Sequence, residues 1–192
     1  MKFRIRFLTA VLLVVGGIAS AGPGEGPANN PAPEAALKTF NKFDLRDLAG
    51  LQTGASDASR KAEAKIAQHL REQVAPIVAA WNVAAAKSGS ANSLLVEPQI
   101  VELKFVGGSK RFWVGALAGS SYVILKVKMT EQPSGRMIGE PVFYQRAQAM
   151  GGAYTMGGSD NDMLQRIVGL VTSYLTSNYE APVGGATGRK GP

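Results

Sequence analysis

Residues 122–147 read YVILKVKMTEQPSGRMIGEPVFYQRA, and this stretch decides the fold. Val123, Leu125, Val127 and Met129 alternate with Ile124, Lys126, Lys128 and Thr130. That period of two is the signature of a strand with one face on a core. Gln132-Pro133-Ser134-Gly135 follows, with proline and glycine at turn positions. The chain then resumes as a strand from about Met137 to Ala147, so residues 122–147 predict a β-hairpin.

Upstream, Val101, Leu103 and Phe105 alternate with Glu102 and Lys104, a further strand. Pro98 places the start of that strand at an edge or a bulge, because proline has no N–H to give a ladder. Further back, Ala62, Ile66, Leu70, Val74, Ile77 and Trp81 recur at helical spacing. Ser56 or Asp57 can cap this helix. Pro76 lies inside the pattern and predicts a kink near Ala75, or two helices meeting there. Phe40, Phe43 and Leu45 suggest a short strand near 38–45. Downstream, Met163, Ile167, Leu170, Val171, Tyr174 and Leu175 form the apolar face of a last helix, about Asn161 to Ser177. The predicted order is β-α-β-β-β-α. The fold class is α+β: a two-layer sandwich with a mainly antiparallel sheet of about four strands, both helices covering its apolar face.

The ends of the chain read differently. Lys2, Arg4 and Arg6 precede an apolar run, Phe7 to Ile18, and Ala19-Ser20-Ala21 supplies a small-residue cleavage pattern. This predicts a signal peptide over 1–21, cut near Ala21. Residues 22–36, GPGEGPANNPAPEAA, read as a flexible linker, and 181–192, APVGGATGRKGP, as a disordered tail. The α+β domain is then 37–180. After the leader no run is long enough to span a membrane. The expected location is the periplasm or the extracellular medium.

Composition excludes several classes of chemistry. The chain has 192 residues, 23 of them glycine, with no cysteine and one histidine. Disulfides, thiolate metal sites, a cysteine nucleophile and any site with two histidine ligands are ruled out. The net charge is +7, and Lys2, Arg4 and Arg6 supply three of those charges, leaving +4. No clustered basic face is visible, so nucleic acid is not an expected partner.

At the central hairpin the chain resembles a bacterial envelope family, the domain of unknown function 4410. Gly107, Gly108 and Arg111 look like that family's first glycine-rich loop, and Gly115 and Gly119 like its second. Glu131 and Ser134-Gly135 stand where the family has Asp and Thr-Gly. Gly151, Gly152, Gly157 and Gly158 look like its last loop. The resemblance covers about residues 38–178 and implies an envelope-associated α+β domain. It implies no activity. Many members look like lipoproteins with a cysteine after the signal, which this chain lacks. The layout is also similar to periplasmic domains of the curli secretion channel and the Tol-system propeller protein, as a fold-level analogy.

The candidate site is the stretch Lys110, Arg111, Phe112 and Trp113. An aromatic pair beside basic residues and among glycines suits contact with a partner, with Arg111 and Trp113 as anchors. The glycines with Lys110 and Arg111 could also hold an anion. Asp160-Asn161-Asp162 lacks the remaining calcium ligands, and Met150 with Met156 lacks a histidine, so no metal or cofactor is expected. His69 is the single candidate for a catalytic base, and no nucleophile motif accompanies it. The leading expectation is a non-enzymatic exported module that binds an envelope protein. A small-ligand carrier with a cavity between helix and sheet, and a hydrolase using His69, remain open.

Overall fold

The structure is a computed structural model that describes residues 24–51, 56–85, 92–104, 120–147 and 158–189. Its elements in chain order are β1 (Asn29–Asn30), a 3-10 turn (Leu37–Thr39), β2 (Lys42–Leu45), α1 (Asp57–Gln73), α2 (Ala75–Ala85), β3 (Ser93–Lys104), β4 (Tyr122–Gln132), β5 (Met137–Gly139), β6 (Val142–Arg146), α3 (Gly158–Glu180) and β7 (Gly185–Ala186). A five-stranded open sheet runs β2-β3-β4-β5, with β6 also paired to β4, and β1 and β7 form a separate two-stranded piece. The fold is α+β. The sheet is antiparallel except for β2, which lies parallel to β3.

The hairpin forms as its pattern predicts. Val123, Leu125, Val127 and Met129 are buried at 1% exposure or less. Glu131 N–H donates to Arg136 C=O and Gly135 N–H to Glu131 C=O, both at 2.9 Å. Gly135 has φ +72°, a backbone state that glycine adopts without a Cβ penalty. The returning strand keeps one register along β4 from Arg146 back to Gly139, shifts by one residue between Met129 and Thr130, and is split at Glu140-Pro141, where Pro141 has no N–H to donate.

The helices lie on the face that carries those side chains. Ser56 caps α1, its hydroxyl accepting from Ser59 N–H at 3.2 Å. The helical stretch divides at Val74, ahead of Pro76, into α1 and α2. Past the division Val78 is buried and Ile77 only half-buried, so the inward stripe runs Leu70, Val74, Val78. Ile66, Leu164, Ile167 and Val168 join Phe143 and Leu125 in one core.

Four expectations are corrected. Pro98 is not near a strand start: β3 begins at Ser93, and Leu94, Val96, Pro98 and Ile100 all face inward. Val101 does not face inward with Leu103. The register shifts between Ile100 and Glu102, so Val101 is the extra residue of a β-bulge and is 51% exposed. The region expected as a linker over 22–36 carries β1, and its Glu34 N–H donates to Ile138 C=O at 2.8 Å. The region expected as a disordered tail over 181–192 carries β7, which pairs with β1. Tyr144 N–H donates to Thr187 C=O and Thr187 N–H to Ala28 C=O, both at 2.8 Å. Main-chain bonds between distant segments make this order, and local composition does not encode them. The signal sequence over 1–21 lies outside the described residues.

Candidate functional site

The sequence points first to the connection between β3 and β4. Lys110, Arg111, Phe112 and Trp113 lie outside the described residues, as do Met150 and Met156. The two strand ends that flank residues 105–119 are described. Leu103 faces Val123 and Lys104 faces Tyr122 in register. Tyr122 Oη donates to Glu102, a cross-strand bond next to the bulge. That bond, then burial, pushes the Tyr122 phenol up to about 12. Tyr144, across on β6, sits 6.1 Å from the Tyr122 ring, and the Arg189 guanidinium lies 5.9 Å from the Tyr144 ring centre. Burial raises the Tyr144 phenol, against the opposing pull of Arg146 and Arg189.

His69 sits on α1 with its side chain 12% exposed, Nδ1 3.3 Å from Glu72 Oε2. Gln68 Nε2 donates to Glu72 Oε1 at 2.7 Å, and Lys65 Nζ donates to Gln68 Oε1 at 3.1 Å. The Gln68 bond, and then His69, hold the Glu72 carboxyl below its ordinary range. These are helix neighbours at spacings of three and four. Among the described residues no group of three or more His, Asp or Glu is placed to hold a metal. Among them, too, no helix is long and apolar enough to cross a membrane.

A second site was legible only in outline, as a cavity between helix and sheet. It is an open groove of about 360 Å³ between the α1–α2 bend and the chain that leaves β2. Its origin lies in Pro98. Arg46 N–H donates to Val96 C=O at 2.9 Å, and Ala49 rejoins the sheet through Pro98 C=O and Ile100 N–H, both at 2.9 Å. In a parallel ladder the rung between these would run from the N–H of residue 98 to Arg46 C=O. Proline has no such donor. The chain therefore swings out over Arg46–Leu48 and forms one wall of the groove. The small side chains of Ala67, Ala75 and Ala79 keep the facing helices from filling it.

No family model matches the chain, and no curated protein matches it. Among solved structures it is similar to the PelC dodecamer from Paraburkholderia phytofirmans, at 13% identity and TM-score 0.39, over 74% of this chain and 96% of that one. It is similar to the hypothetical protein CT253 from Chlamydia trachomatis, at 12% identity and TM-score 0.39, over 72% and 99%. It is also similar to XCC0632 from Xanthomonas campestris, of the DUF330 family, at 10% identity and TM-score 0.37, over 81% and 92%. None of these three carries the name of domain of unknown function 4410. No family is assigned.

Proposed function

We propose that the chain is an exported, non-enzymatic binding module that engages a protein partner of the cell envelope through Lys110, Arg111, Phe112 and Trp113. The observation that carries this reading is the framing of their connection. The ends of β3 and β4 are in register at Lys104 and Tyr122, and the Tyr122–Glu102 bond ties them together. A connection held at both ends pays less ordering entropy on binding. The basic, apolar and small-residue order of residues 1–21 supports export and an envelope location.

Crosslinking in cells, followed by recovery of the protein from the envelope and mass spectrometry, tests the reading. An envelope protein recovered with wild type and lost with Arg111→Ala/Trp113→Ala supports it. Equal recovery with both rejects this connection as the contact. An ester, phosphate, glycoside or peptide hydrolysis that disappears in folded His69→Ala overturns the non-enzymatic part.

A further inference from the structure

The helix–sheet groove supports an inference independent of the partner-binding reading. Its lining is aliphatic: Leu45, Leu48, Leu70 and Val78, with the three alanines, and no aromatic ring. Such a surface favours a hydrocarbon over a ligand that needs stacking. Arg46, Asp47 and Arg71 are its charged lining residues, all exposed at the rim. Among the described residues neither arginine has an ion-pair partner, and Asp47 leaves the rim with one excess positive charge. Asn82, also in the lining, already holds both main-chain groups of Phe43, with Nδ2 to C=O at 2.9 Å and N–H to Oδ1 at 2.7 Å.

We propose that this groove binds a free medium-chain carboxylate. The acyl chain lies along Leu45, Leu48, Leu70 and Val78, and the carboxylate accepts from Arg46 and Arg71. A volume of about 360 Å³ lies at the small end for ligand sites. The open mouth leaves the head group hydrated. Guanidinium–carboxylate bonds are stronger than neutral ones and are weakened by salt at an exposed rim.

Calorimetric titration of the full chain with decanoate, decanol, decylamine and anionic phospholipid vesicles tests this. The expected result is saturable decanoate binding, weaker at high salt, with decanol weak and decylamine absent. Arg46→Ala/Arg71→Ala is expected to lower decanoate affinity about tenfold while leaving decanol unchanged. Both arginines are exposed, so circular dichroism is expected to match wild type. Ala79→Trp, at an exposed lining position, is expected to abolish binding by filling the groove. No saturable decanoate binding, decanoate binding that survives the double substitution, or binding to vesicles alone would overturn the proposal.

Discussion

Asn30, Asn82 and Asn178 each hydrogen-bond to main chain through both ends of the side-chain amide. Asn30 takes Val142 N–H at 2.8 Å and gives to Val142 C=O at 3.0 Å, as Asn82 does with Phe43. Each amide thus closes one rung at an edge of the sheet and satisfies groups that a further strand would otherwise seek. Asn178 is fully buried. It accepts from Val183 and Gly184 N–H at 2.7 and 2.8 Å and donates to Tyr174 and Gly184 C=O at 2.7 and 2.9 Å. Asn178→Ala strands those groups, and the expected loss is about 2–4 kcal/mol by urea denaturation. Tyr174 carries a pH dependence. Burial pushes its phenol from 10.0 up to about 12. Its share of stability is complete below pH 10 and is lost as pH rises from 10 through 12, because the unfolded phenol ionises first. Tyr174→Phe removes the bond to Pro31 C=O at 2.8 Å. The expected result at pH 7 is a loss of about 1 kcal/mol. Between pH 10 and 12 its stability is expected to fall less steeply than that of wild type.

At the scale of elements, β3 departs most from its local pattern. Val101 looks like the start of an alternating run, and the alternation of Leu94, Val96, Pro98 and Ile100 is as clear. The two are out of phase by one residue, and a single bulge reconciles them. Val101→Asp is therefore expected to change stability by less than about 0.5 kcal/mol, while Leu103→Asp unfolds the protein. Thermal melts of both variants are expected to show this contrast. Pro98→Ala supplies the missing donor. Its new amide is expected to exchange slowly by NMR, bonded to Arg46 C=O, with the groove narrowed as a result. The hairpin, the stripes of α1 and α3 and the division near Pro76 were legible because short-range periodicity and proline chemistry encode them, whereas the α2 stripe falls on Val78 in place of Ile77 because the break shifts its phase. The placement of Pro98 was not, because proline predicts a missing rung without saying which neighbour lacks it. The groove was legible only as a helix–sheet cavity. Its arginines come from segments far apart in sequence, and neither stands in a motif.

Across the whole molecule, residues 24–30 and 184–189 meet along the free edge of β6. Thr187 Oγ1 donates to Pro27 C=O at 2.7 Å across 160 positions, and Arg189 Nη1 donates to Glu25 C=O at 2.7 Å. A Cβ at Gly188, which has φ +79°, would stand 2.3 Å from Tyr144 O. Proline, glycine and small polar residues hide this order, because such composition is shared by linkers and by close-fitting main chain. Removal of residues 183–192 is expected to lower the melting temperature and to expose the Tyr144 amide to rapid hydrogen exchange. Unchanged protection would show that the edge closes without it. The arrangement also bears on synthesis. A chain emerging from the ribosome delivers residues 28–30 well before their partners at 185–187. Until those arrive, β6 presents an open edge to every neighbouring chain, so that interval is when a chaperone matters most.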